Sequence, residues 1–123
     1  MGKKMLVIGN DLFTEALLTQ AFSDSGFQVL IISENGSSIL PSGLIRPDLI
    51  ILDSLLPGAP DWYILRSLRL LSPVPIVVLT EVEDSRVRIK SLKLGADCCL
   101  SKPLDLDELQ AIVRSLTSVI GRS

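Results

Sequence analysis

The stretch MLVIGNDLF, Met5–Phe13, decides the fold. Four apolar residues in a row, Met5–Ile8, suit a short strand buried on both faces. Gly9-Asn10-Asp11 breaks the run, and helical spacing takes over from Leu12. Strand, tight turn and helix in immediate succession is the opening of an α/β unit, where side chains at strand ends hold the chemistry.

The alternation continues along the chain. Leu12, Phe13, Ala16, Leu17, Ala21 and Phe22 lie on helical spacing, and Ser25-Gly26 stops that helix. Val29–Ile32 is a second strand, rich in β-branched residues. A short, poor helix is expected near Ser38–Leu44, interrupted by Pro41 and Gly43. Leu49–Leu52 is continuously apolar and so belongs at the centre of the sheet. The loop Ser54–Pro60 leads to a helix over Trp62–Leu71, a strand over Ile76–Leu79 and a helix over Ser85–Leu94 closed by Gly95. Cys98–Leu100 is a short fifth strand, and Leu106, Leu109, Ile112, Val113, Leu116 and Ile120 form the apolar stripe of a last helix. Five strands alternating with five helices predict a doubly wound, flavodoxin-like parallel sheet with right-handed crossovers and strand order 2-1-3-4-5.

Composition narrows the function. A length of 123 residues fits one domain, 1–123, and an apolar content of 47% supplies a full core. A net charge of -2 gives no basic footprint for nucleic acid. No apolar run reaches the ~18 residues of a membrane span, and the run after Lys3-Lys4 is too short for a signal peptide, so a cytoplasmic location is expected. With no histidine and only the adjacent Cys98 and Cys99, a Cys/His metal site is not expected. Neighbouring cysteines in a strand point to opposite faces, which fits free buried thiols.

In strand order 2-1-3-4-5 the crevice opens where strands 1 and 3 end. Gly9, Asn10 and Asp11 lie there after strand 1, Asp53 after strand 3, Thr80 at the end of strand 4 and Ser101-Lys102 at the end of strand 5. A carboxylate beside a hydroxyl and an ammonium suits an aspartyl-phosphate, with the lysine neutralising phosphoryl oxygens and the hydroxyl donating to one. Such chemistry wants a hard divalent cation as well. Taken singly, each residue has a plainer reading as a turn cap or a solvated charge. Their convergence on one edge favours a site.

These residues resemble a family, the receiver domains of bacterial two-component response regulators. RPDLIILDSLLPGAPDW resembles the segment around the phosphoacceptor and places Asp53 in that position. VPIVVLTE resembles the fourth strand with its signalling threonine, Thr80, and LGADCCLSKPLDLDEL resembles the fifth strand with its Lys102-Pro103, whose peptide bond is implied to be cis. The resemblance implies catalytic roles for Asp53, Thr80 and Lys102, with no independent enzyme activity beyond accepting and losing a phosphoryl group. It implies a histidine kinase as phosphodonor and Mg²⁺ as cofactor. It also implies a protein partner or homodimer through the face made by the fourth helix, fifth strand and fifth helix.

The departures are specific. The acidic pair that the family carries after strand 1 falls on Gly9-Asn10, with Asp11 in the next position. Metal ligation would then fall to Asp53, the Asn10 amide oxygen, the Leu55 carbonyl and Asp11, so Mg²⁺ binding is expected to be weak or absent. Asp11 acting through a water is the alternative. Cys99 replaces an aromatic, either as a small apolar filler or as a redox sensor. On the partner face Lys93 stands in place of an acid, Asp97 and Arg114 match the family, and Val87, Leu94, Cys98 and Ile112 either enlarge an apolar contact surface or are partly buried. The expectation is an atypical receiver acting as a signalling or interaction module. Its rival is a conventional one, phosphorylated on Asp53 and controlling transcription through a fused or partner output domain. A flavodoxin-like cofactor binder is disfavoured, because Gly9 stands without a Gly-rich phosphate loop.

Overall fold

The computed structural model of the chain describes residues 2–9, 11–33, 46–55 and 61–118. Five strands, β1 (Lys3–Gly9), β2 (Phe27–Ser33), β3 (Leu49–Leu55), β4 (Ile76–Thr80) and β5 (Cys98–Ser101), form one sheet in the order β2-β1-β3-β4-β5. Every pairing is parallel. The helices among the described residues are α1 (Leu12–Ser23), α2 (Asp61–Leu71), α3 (Ser85–Lys93) and α4 (Leu106–Thr117). The helix expected near Ser38–Leu44 lies outside the described residues, as do Asn10, Ile120 and most of the loop after Leu55.

The central strands are apolar throughout because both faces are covered. Leu6, Ile8, Ile50, Leu52, Ile76 and Val78 meet α2 and α3 through Leu65, Leu68 and Val87. Met5, Val7, Leu49, Ile51, Val77 and Leu79 meet α1 and α4 through Leu18, Phe22, Leu109 and Val113. Removing water from this much side chain is the main force holding the layers together, and truncating one such leucine to alanine costs roughly 2–5 kcal/mol.

Aspartates start three of these helices. Asp11, Asp84 and Asp105 are the N-caps of α1, α3 and α4, each accepting from backbone amides of the first turn. Gly95 ends α3 at φ 121, a left-handed conformation, and a Cβ there would lie 2.6 Å from Arg69 Cγ. Arg69 fills that space and ties α2 to the lead-in of β5, donating to Gly95 O at 3.0 Å and to Asp97 Oδ2 at 2.8 Å.

Two expectations need correction. The inward face of α1 is Thr14, Glu15, Leu18 and Phe22, whereas Leu12 is 80% and Phe13 72% exposed. Apolar residues lie all round this helix, so spacing alone cannot choose the face. Next, β3 runs on to Leu55 instead of ending at Leu52, with an irregular register between those two residues. Of the two readings of Val87, Leu94, Cys98 and Ile112, the structure fits burial: Val87 is buried, and Leu94, Cys98 and Ile112 are partly buried against the two cores. Ile89 and Leu92 are the exposed large apolar residues of α3, and Asp97 is engaged within the chain by Arg69. The cysteines do point to opposite sides, Cys99 to the α2–α3 core and Cys98 to the α1–α4 core, and both are free. The Lys102-Pro103 bond is cis. No helix of the described residues is long and apolar enough to cross a membrane.

Candidate functional site

The parallel register delivers the site. Ile8 pairs with Leu52, so the next residues, Gly9 and Asp53, come together at the carboxyl edge. Thr80 pairs with Ser101, which puts Lys102 beside the end of β4, and Lys102 N donates to Thr80 O at 2.8 Å. Asp53 falls where the register of β3 against β4 shifts, a kind of irregularity that re-aims side chains.

Asp53 is 1% exposed, and its Oδ1 lies 2.9 Å from Lys102 Nζ. The same ammonium donates to Asp11 Oδ2 at 2.7 Å and to Glu81 Oε2 at 3.2 Å. One cation thus sits among three carboxylates from the ends of β1, β3 and β4. Thr80 is buried at the same edge, and its Oγ1 accepts from Val82 N at 3.2 Å.

Asp11 serves two masters. Its Oδ1 accepts from Phe13 N and Thr14 N at 3.1 and 3.4 Å, and its Oδ2 accepts from Thr14 Oγ1 at 2.7 Å besides Lys102. The bonds from Lys102 and Thr14 hold this carboxyl well below the usual carboxylate range. Burial alone would lower the Lys102 pKa, but the bonds to Asp11 and Asp53 outweigh it and hold the ammonium above the ordinary lysine range. Glu15, only 7% exposed on the inner face of α1, is pushed the opposite way. Burial comes first, then the negative charges of Asp53 and Asp11, and all three raise its pKa.

Gly9 is where a side chain is missing. A Cβ there would come within 2.7 Å of Asp53 Cβ, so the end of β1 lies directly against the aspartate. A hollow of about 570 Å³ adjoins the ammonium, lined by Asp11, Glu81 and Lys102 together with Phe13, Leu17, Leu104 and Leu106.

Of the residues expected to form the site, Asp53, Thr80, Lys102 and Asp11 come together. Leu55 lies at the end of β3 opposite Thr80, and Asn10 is outside the described residues. Two participants had no marker in the sequence. Glu81 is simply the residue after Thr80. Glu15 stands one helical turn after Asp11, a spacing that signals proximity only once the inner face of α1 is known.

In a doubly wound sheet the carboxyl edge, where this acid, hydroxyl and lysine meet, is where ligands bind. The chain belongs to the response regulator receiver domain family, whose model matches residues 5–114. It is 35% identical over 115 residues to the DNA-binding response regulator MtrA of Mycobacterium tuberculosis, covering 94% of this chain and 50% of that protein. It is 32% identical over 114 residues to the probable transcriptional regulator ycf27 of Cyanophora paradoxa, covering 93% and 48%. The chain therefore spans about half the length of the curated relatives it matches. Among solved structures, the receiver domain of the TMAO respiratory system response regulator TorR is 32% identical with a TM-score of 0.77, covering 93% of this chain and 95% of that one. A response regulator from Thermotoga maritima, at 24% identity, shares the fold with a TM-score of 0.85 over 96% and 99% of the two chains.

Proposed function

We propose that this chain is an atypical receiver, a signalling and interaction module in which Mg²⁺-dependent phosphorylation of Asp53 is weak or absent. The observation that supports this most is the engagement of Asp11. Its carboxylate already caps α1 and accepts from Thr14 and Lys102. Gly9 offers no side-chain oxygen, and space for one is closed off by Asp53. Mg²⁺ demands near-ideal oxygen geometry and gives up its water reluctantly, so this donor set does not fit a tightly held ion.

The chain's own residues still outline an acceptor site. Asp53 presents the carboxylate, Lys102 neutralises it, and Thr80 brings a hydroxyl to the same edge. The persistence of these three residues favours the second reading, a conventional receiver that takes a phosphoryl group from a histidine kinase. In either reading, control of transcription would pass through an output domain or a protein partner, as the names of its relatives suggest. Exposed Ile89 and Leu92 on α3 are the apolar residues available to a contact there.

Incubation with a small phosphodonor and Mg²⁺, followed by intact mass, tests the proposal. Labelling well short of one phosphoryl group per chain is expected. Stoichiometric labelling that vanishes in Asp53→Asn would establish the conventional reading instead.

A further inference from the structure

We infer that the hollow at the opposite, amino edge of the sheet is a second binding site. It takes a small organic acid as its monoanion, the carboxylate facing Lys3 and Arg114 and an apolar body lying against Phe22, Phe27 and Val113. The hollow measures about 320 Å³ and lies between the end of α1, the start of β2 and the second half of α4. It shares no residue with the crevice at Asp53, so it stands independently of the phosphorylation reading.

Walls, floor and charge each contribute. Gln110 Nε2 donates to Ala21 O at 3.3 Å and fixes α4 against the end of α1. Lys3 Nζ donates to Thr117 O at 2.6 Å, which holds the ammonium in place. The apolar side is preformed as well. Phe22 and Val113 are buried, and the Phe22 and Phe27 rings meet edge to face at 5.6 Å. Charge then selects the ligand. The residues lining the hollow include two cations and no acid, in a chain whose net charge is -2. Asp24, the residue after α1, is not part of the wall. Among the described residues, no acid forms an ion pair with Lys3 or Arg114. A plainer role for both cations is to offset the carbonyl ends of α1 and α4. Each helix end carries about half a negative charge, so the two ends balance only one cation, and about one positive charge is left over. That remainder suits a single carboxylate and leaves half of a doubly charged phosphate uncompensated. A non-hydrogen atom takes roughly the 30 Å³ that a water takes in the liquid, so the space fits a ligand of about ten such atoms.

Phenylacetate has the size and charge this hollow calls for and serves as the probe. Titration of ¹⁵N-labelled wild type with sodium phenylacetate at constant ionic strength should give saturable shifts of the Phe27, Gln110 and Val113 backbone amides. Sodium acetate lacks the apolar body, and 2-phenylethylamine reverses the charge. Both should give only a linear drift at the same amides. Arg114→Gln removes one cation from an exposed position and should weaken phenylacetate binding about fivefold. The inference is overturned by a lack of saturation with phenylacetate, or by shifts centred on Lys102 instead of on these three amides. Equal binding of acetate or 2-phenylethylamine, or an unchanged affinity in R114Q, overturns it as well. Folding of R114Q is checked by circular dichroism. Should it not fold, the comparison of the three probes on the wild type decides alone.

Discussion

Glu15 shows how two neighbouring acids can respond oppositely to one fold. Asp11 has Lys102 and Thr14 to stabilise its charge, whereas Glu15 has burial and the fields of Asp53 and Asp11 against it. The depressed Asp11 contributes stability that is present above its ordinary value of 3.8 and lost as pH falls through its lower folded value. The raised Glu15 contributes stability that is full below 4.5 and lost as pH climbs through its higher folded value. At neutral pH Glu15 is therefore a net strain on the domain. Glu15→Gln is expected to raise Tm at pH 7, and the gain should shrink to nothing as pH approaches 4. Melting curves across that range check it; a gain that persists in acid would mean packing, not charge, is responsible.

At the scale of elements, α1 is fastened to the sheet edge by its own cap. Asp11 satisfies amides of the first turn and reaches Lys102 beyond the end of β5. Asp11→Ala loses both roles and should cost about 1–2 kcal/mol, a drop in Tm of roughly 4–8 °C. Asp11→Asn keeps a capping oxygen and loses the ion pair, so its cost should be clearly smaller. Thermal melts of the pair separate the two contributions, and equal losses would place all the effect in the ion pair. Element identity was legible in sequence wherever burial was two-sided. Met5–Ile8 and Leu49–Leu52 read as strands because neither face could be polar. The inner face of α1 was not legible, since Leu12 and Phe13 are as apolar as Leu18 and Phe22 yet point to solvent. The extra length of β3 was hidden too, because its register against β4 shifts after Leu52, a tertiary feature with no local signature.

For the whole molecule, the order of the strands is what gathers Asp53, Thr80, Lys102 and Asp11 from 92 residues of chain, a span running from position 11 to 102. That gathering was readable from alternation and motif, because parallel connection rules leave few alternatives. The direction in which Asp11 turns was not readable, nor the presence of Glu81, since both depend on where one lysine nitrogen comes to rest. The glycine at position 9 is equally a property of the assembled sheet. An acid reinstated there would press its Cβ on Asp53, so it would move the very group it was meant to serve.

The central claim is that this crevice, its acids already committed to Lys102 and to the start of α1, holds divalent ions poorly. The direct measurement is a titration of the wild-type protein with MgCl₂, followed by the backbone amide resonances of Asp53, Thr80 and Lys102. Shifts that rise without saturating through the millimolar range are predicted. Saturation at sub-millimolar Mg²⁺, centred on Asp53, would contradict the account.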